Sequence, residues 1–347
     1  MHPEVTREIN TNALVKLTGL IWLVLILLIA ADLHAQHDST AIATYDELVT
    51  SRFYFSKKFT ALRLLNKGEY NLNYFPNTTL NMGVGATYKW ATLNLAYGFG
   101  FLNPERGRGD TRYLDLQFHN YGRKIVIDVL GQFYRGFYIE NPQFQNENYV
   151  RPDLHVNHIG ASIQYVFNGE RFSYRAAFIQ NERQKISQGS FLAGLEIYGG
   201  WISADSVLVP SAIQPGTSGD FPRDIDFIQG GLSAGYAYTA VVRNYYATGS
   251  LSLGVDYGKT DISGSGGDID EAGFAVSSIY KFVVGYNSDA WALAVSFVSN
   301  HVRLPSVDAA WTASLNTGNL RASYVYRFMP GRRLKRVLRV FDRSARH

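Results

Sequence analysis

The sequence contains no cysteine. This excludes disulfides, zinc–thiolate sites and a cysteine nucleophile. It also removes the acylated cysteine that a lipoprotein carries behind its leader. Helical periodicity is equally scarce: between Thr50 and Phe328 no segment repeats its apolar residues at spacings of three and four. Long apolar runs are almost absent. The one example, "LTGLIWLVLILLIAA" at Leu17–Ala31, falls short of the roughly 20 residues that a spanning helix needs. It lies behind Arg7 and Lys16 and ahead of "DLHAQ", so it reads as a secretory signal peptide covering residues 1–35, cleaved after Ala35. An uncleaved anchor is the other reading of that run. The mature chain then begins at Gln36, outside the cytoplasm, and residues 36–49 form a periplasmic N-terminal segment.

A charge excess is also missing from the body of the chain. There are 33 Lys plus Arg against 29 Asp plus Glu overall. The tail, residues 329–347, alone holds seven basic residues and one acidic. The basic pI of about 9.0 is therefore a property of the tail, and nothing in the body points to nucleic acid.

What is abundant is aromatic and small: 23 Tyr, 21 Phe and 32 Gly, a composition that favours strands. Period-two alternation begins after Thr50 and recurs to Phe328. In "LNMGVGATYKW", Leu80, Met82, Val84, Ala86, Tyr88 and Trp90 oppose Asn81, Gly83, Gly85, Thr87 and Lys89. After a turn, Leu93, Leu95, Tyr97, Phe99 and Phe101 continue the apolar face. Similar alternation covers 113–119, 125–134, 158–167, 172–180, 190–204, 228–242, 250–257, 273–287 and 290–302. Short connections fall at Gly122–Arg123, Asn168–Glu170, Arg243–Asn244, Asn287–Asp289 and Asn316–Asn319. Long polar segments intervene, among them "SADSVLVPSAIQPGTSGDFPRD" and "KTDISGSGGDIDEA".

A soluble sandwich also alternates, but its polar face carries Lys, Glu and Thr toward water. Here that face is Gly, Ala, Ser, Asn and Gln with isolated charges, as in a crowded interior. Tyr88, Trp90, Tyr138, Tyr165, Phe167, Trp201, Tyr257, Trp291 and Trp311 lie near strand ends, as aromatic girdles would. The expectation is an all-β fold: a closed, transmembrane, antiparallel β-barrel of 12–14 strands over residues 50–328. The outer face meets lipid, because a strand in hydrocarbon must pair on both sides and its sheet must close. One inconsistency remains in the strand numbering. It puts the turns after Lys89, Gly122 and Asn168 on one rim and those after Arg243, Asn287 and Asn316 on the other. The last strand, "LRASYVYRF", alternates aromatics to Phe328, as in the closing strand read by the barrel assembly machinery.

The stretches "SKKFTALRL" and "YNLNYFPNTTLNMGVGATYKWATLNLAYGFGFLNPERGRGDTRYLDLQFHNYGRKIVIDVLGQFYRGFYI" resemble an uncharacterised outer-membrane β-barrel family of Gram-negative bacteria, domain of unknown function 4421. The resemblance is densest from Phe53 to Ile139, in Y-x-P-N (Tyr74–Asn77), G-x-G-x-x-Y-K (Gly83–Lys89) and Y-G-R-K (Tyr121–Lys124). It implies fold and location, and it supplies no catalytic residue.

Chemical motifs are weak. "GLSAG" around Ser233 fits a nucleophile elbow in spacing but sits in an alternating strand, where that motif requires strand–turn–helix. His301 beside Ser299 or Ser296 lacks a visible supporting acid. The acidic residues of "DISGSGGDIDEA" lack the calcium-loop spacing and read as a solvated extracellular loop. His155 and His158 point to opposite faces. No enzyme activity, metal or cofactor is expected. By parity, Asp115, His119, Asp128, Gln132, Arg175, Glu196, Asp256, Lys281, Arg321 and Arg327 face the interior, where charges either pack as a filling network or line a water-filled path. Beyond the Pro-Gly break, Leu334, Val337, Leu338 and Phe341 share one side of a short amphipathic helix. Arg332, Arg333, Lys335, Arg336 and Arg339 surround it, suited to anionic outer-membrane lipids; a solvated tail is the alternative. The functional expectation is a passive, porin-like pore or a small-molecule or lipid conduit. A structural or interaction barrel with a filled lumen is the alternative, with an outer-membrane lipid hydrolase as the third class.

Overall fold

The computed structural model describes residues 38–66, 70–89, 91–103, 107–140, 142, 144, 146–214, 221–305 and 311–338. The signal-peptide segment, Trp90, Arg339 and Phe341 lie outside the described residues. No helix among the described residues is long and apolar enough to cross a membrane, which says nothing about strands.

Fifteen strands form among the described residues. β1 (Ile42–Thr44) and β9 (Glu182–Gln184) pair in a small sheet of their own. The others are β2 (Val49–Asn66), β3 (Asn71–Tyr74), β4 (Leu80–Tyr88), β5 (Ala91–Gly98), β6 (Arg112–Tyr121), β7 (Ile125–Ile139), β8 (Tyr149–Val166), β10 (Gln188–Ser203), β11 (Pro222–Val242), β12 (Tyr245–Gly264), β13 (Gly267–Asn287), β14 (Trp291–Arg303) and β15 (Trp311–Phe328). These thirteen make one antiparallel sheet in the order β5-β4-β2-β15-β14-β13-β12-β11-β10-β8-β7-β6, with β3 pairing β2.

The alternation sets the faces as the sequence implies. Val84 on β4, Leu95 on β5 and Leu232 on β11 point outward and are 58%, 62% and 69% exposed. On the other face Asn81, Thr87, Gln229 and Ser233 are buried. The sheet curls so that inward residues of distant strands touch: Lys281 of β13 donates to Asp128 of β7 at 2.5 Å, and Asn300 of β14 to Tyr198 of β10 at 3.1 Å. Lys58 of β2 reaches Asp115 of β6 at 2.7 Å, joining strands near the two ends of the sheet.

The turns after Lys89, Gly122, Arg243 and Asn287 all lie on the rim that also carries Val49 and Phe328, which are paired to each other. Two expectations change and remove the inconsistency between rims. Residues 172–180 are not a strand: the Ser173 hydroxyl accepts from the Ala176 N–H at 3.0 Å and starts one π-helical turn, Arg175–Ile179. Asn316–Asn319 is not a turn but the middle of β15, where Thr317 is buried. "DISGSGGDIDEA" is likewise no loop. β12 and β13 stay paired to Gly264 and Gly267, and Lys259 holds Asp261 at 2.6 Å. Of the aromatics expected near strand ends, Trp201, Tyr165, Phe167 and Tyr257 face out, whereas Tyr88, Tyr138 and Trp311 are buried.

Among the described residues no closing ladder joins β5 and β6, so the sheet is seen as a curled antiparallel sheet with these two strands at its edges. Instead the two edges are tied at both rims. At the loop rim, Phe75 bridges Tyr138 of β7, and the Asn77 N–H donates to Thr111 Oγ1 at 2.8 Å. At the terminal rim, Arg175 and Asn181 both donate to the carbonyl of Lys89, just before β5. On the β6 side, Arg123 pairs Glu182 at 2.8 Å.

After Phe328 and the Pro-Gly break, α1 (Arg332–Leu338) is a short helix with no buried residue. Val337 is exposed and Leu334 half-exposed, so its apolar side is left uncovered by the described residues.

Candidate functional site

Three layers fill the interior. Nearest the loop rim is an apolar core that joins Leu62 and Leu64 of β2, Tyr74, Phe137 and Val156, with Leu208, Val209 and Ile213. The last three belong to the segment after β10. The sequence suggested a long polar connection there, but Leu208, Val209 and Ile213 fold into the mouth because they find this core. Tyr74 secures it by donating its hydroxyl to the Leu208 carbonyl.

At the terminal rim the π-turn, β1 and β9 make a plug. Its Glu182 is fully buried and faces both Arg123 at 2.8 Å and Arg175 at 3.5 Å. Arg327 donates to the Gln180 and Ser288 carbonyls and to Asn287, stacking over Tyr45 at 4.2 Å. The Tyr45 hydroxyl donates to Asp289; burial, then that bond, pushes it up to about 12. Tyr174 of the plug reaches Ser250 of β12 at 2.6 Å.

Between core and plug lies a cavity of about 800 Å³. It is lined by inward residues of β2, β6, β7, β8, β10, β13, β14 and β15, and by Thr92, Asn94 and Ala96 of the edge strand β5. Outward residues border it as well: Leu93 of β5, Leu116 and Phe118 of β6, Phe133 of β7 and Ile159 of β8, so it continues past the strand edge onto the outer face of β6–β8. The cavity therefore runs to the unpaired β5–β6 boundary.

Five of the residues expected inside line this cavity: Asp115, His119, Asp128, Lys281 and Arg321. Asp115 accepts from Lys58, from the Tyr134 hydroxyl at 2.7 Å and from Gln132 at 3.1 Å. Gln132 thus supports the cavity wall from behind. Asp128 lies between Lys281 and His119 Nδ1, the latter at 2.6 Å. Lys281 is 1% exposed, with its ammonium over the rings of Tyr121 and Tyr174. Each cavity carboxylate is thus paired to a lysine.

Glu196 and Asp256 are inward but sit in the packed half of the lumen, where Ser277 donates to Glu196 and Gln229 to Asp256. Arg175 is a correction: it stands on the plug rather than on a strand, because the segment it belongs to is the π-turn. Ser233 is buried inside β11, with no strand–turn–helix around it. Ser299 donates to Asn316 at 2.7 Å rather than to His301. The tail residues Arg332, Arg333, Lys335 and Arg336 are exposed on α1.

The inward residues of β2 add what the sequence reading passed over: Arg52, Tyr54, Ser56 and Lys58 all line the cavity. Their signal is visible in "SRFYFSKK", where Phe53 and Phe55 take the outer face. Arg52 is 7% exposed and donates to Asn94 of β5 at 3.0 Å, to Thr87 at 2.8 Å and to the Ile179 carbonyl at 2.9 Å; no carboxylate meets it among the described residues. Gly83 and Gly85 make this possible. A Cβ on Gly83 would collide with the Tyr54 ring, and one on Gly85 with the Asn94 side chain.

The model of a domain of unknown function (DUF4421) matches residues 36–328. No curated protein matches the chain. Among solved structures, the outer membrane protease OmpT of Escherichia coli aligns at 10% identity over 82% of this chain and 97% of its own, with a TM-score of 0.35. The translocator domain of autotransporter NalP from Neisseria meningitidis aligns at 10% identity over 92% and 97%, with a TM-score of 0.31. The toluene transporter TodX of P. putida aligns at 8% identity over 82% and 91%, with a TM-score of 0.17. What those proteins cleave, translocate or carry is theirs alone.

Proposed function

The chain belongs to the DUF4421 family, and from that premise we propose that it is a transmembrane β-barrel of the outer membrane that holds a small amphipathic molecule in its central cavity. The short-turn rim, which carries Val49 and Phe328, is the periplasmic one. The outward belt supports the membrane setting. On β12 it runs from Tyr245 through Leu251, Leu253 and Val255 to Tyr257, all exposed, before Lys259. At about 3.3 Å per residue and a tilt near 40°, that belt is roughly 30 Å tall, the thickness of a hydrocarbon core.

One observation carries the reading: the cavity is filled over at both ends and reaches the surface at the side. This favours a lateral binding chamber over the axial, porin-like pore. A volume of about 800 Å³ suits one small ligand. The exposed basic helix α1 would lie on the inner leaflet beneath the barrel. Planar-bilayer recording of the full-length protein tests the reading. The expected result is insertion, shown by heat-dependent gel mobility, without unitary conductance steps. Steady ohmic channels would contradict it and restore the open pore.

A further inference from the structure

Four cationic side chains and two carboxylates line the cavity: Arg52, Lys58, Lys281 and Arg321, with Asp115 and Asp128. Both carboxylates are taken by the lysines. Two guanidiniums are left, and neither meets a carboxylate among the described residues. Arg52 is tied by three hydrogen bonds, yet its Nε is buried and unsatisfied. Arg321 is more open still. Its guanidinium stacks over the Tyr54 ring at 4.5 Å. It donates to no side chain or carbonyl among the described residues, and its Nε too is buried and unsatisfied.

The two belong to one place. Arg52 and Tyr54 are alternate inward residues of β2, about 7 Å apart along the strand, and Arg321 is paired across to Ser56 on neighbouring β15. Leaving two desolvated like charges without a counter-ion is costly, and a guanidinium fork fits a planar oxyanion in a two-pronged contact. The missing partner is an anion.

The way in identifies what carries that anion. Arg52 donates to Asn94 on the free edge strand β5, so the cationic pair stands at the inner mouth of the β5–β6 boundary. That boundary has unpaired backbone edges, which are expensive against hydrocarbon. Its outward borders, Leu93, Leu116 and Phe118, are apolar and exposed. The passage is greasy outside and cationic inside.

We propose that the β5–β6 slit is a lateral portal, and that Arg52 and Arg321 bind the oxyanion head of a single-chain amphiphile whose acyl chain lies in the slit. This rests on the side-opening chamber of the preceding section. A membrane-derived fatty carboxylate or a lysophospholipid phosphate monoester has this chemistry. Tyr54 holds Arg321 flat toward the ligand, and Gly83 and Gly85 give Tyr54 and the Arg52–Asn94 pair their room.

The test is equilibrium binding to full-length protein in dodecyl maltoside, with four probes: oleate, oleoyl lysophosphatidate, oleyl alcohol and inorganic phosphate. The expected result is binding of both anionic lipids at least tenfold tighter than of the alcohol, with phosphate alone weak. Arg321→Gln removes no protein hydrogen bond, and heat-dependent gel mobility reports its folding. It should lower oleate affinity tenfold or more and leave oleyl alcohol unchanged; Arg52→Lys, which keeps the charge and loses the fork, should weaken oleate less. If oleate and the alcohol bind alike, or Arg321→Gln binds oleate as the parent does, the anion site is wrong while the chamber stands. If neither lipid anion nor alcohol binds, the chamber itself is wrong. Phosphate binding as tightly as oleate would assign the arginines to a free anion and overturn the portal.

Discussion

Lys281 shows how the interior is held at the scale of single residues. Its ammonium is almost wholly buried, and its partners are the Asp128 carboxylate and the faces of Tyr121 and Tyr174. Removing one member of a buried ion pair leaves the other charge desolvated, at a cost of about 3–5 kcal/mol. Lys281→Ala should therefore lower the urea-unfolding free energy of the detergent-solubilised protein by that amount, and Lys281→Met combined with Asp128→Asn by much less. Equal losses in the two variants would mean that packing, and not uncompensated charge, is what the lysine supplies. Parity along the strands was enough to point Asp115, Asp128, Lys281 and Arg321 inward. Which of them meet was not legible, because contact between β7 and β13 depends on tilt and stagger around the curl. Arg52 illustrates a different gap. Its strand opens with a charge that reads equally well as a solvated flank until Asn94, Thr87 and the π-turn are placed around it.

At the scale of elements, the plug is what the alternation concealed. "FSYRAAFIQ" alternates about as well as its neighbours, but the Ser173 side chain offers the backbone a local acceptor that turns it away from extended structure. Glu182 then fastens the plug by facing two arginines at once. Glu182→Ala should loosen it at a cost of about 3–5 kcal/mol, read as faster tryptic cleavage at Arg175 and Arg183 in the otherwise folded protein. Unchanged cleavage would place the anchoring in Arg327 and its carbonyl partners instead. The three motifs that carry the family resemblance acquire local reasons. Asn77 of Y-x-P-N ties the β5–β6 boundary at the loop rim. The glycines of G-x-G-x-x-Y-K clear space beside Arg52 and Tyr54. In Y-G-R-K, Tyr121 stacks on Tyr174, and Arg123 pairs with the plug.

For the whole molecule, period two, turn chemistry and the small polar face were sufficient for an antiparallel sheet with its apolar side out. Closure was the step that did not follow. A closed ring satisfies every backbone group in lipid, whereas here the ring is fastened at its rims and left unpaired between them. The account stands on that sideways opening, and the cysteine-free chain allows it to be tested with one introduced residue. Ala96 of β5 lines the cavity beside the boundary. With Ala96→Cys in full-length protein reconstituted into phosphatidylcholine liposomes, a spin label at residue 96 should be relaxed by membrane-dissolved oxygen and shielded from a charged nickel chelate on either aqueous side. Strong relaxation by the chelate with none from oxygen would show a chamber open to water along its axis and closed to the membrane, the opposite of what the structure implies.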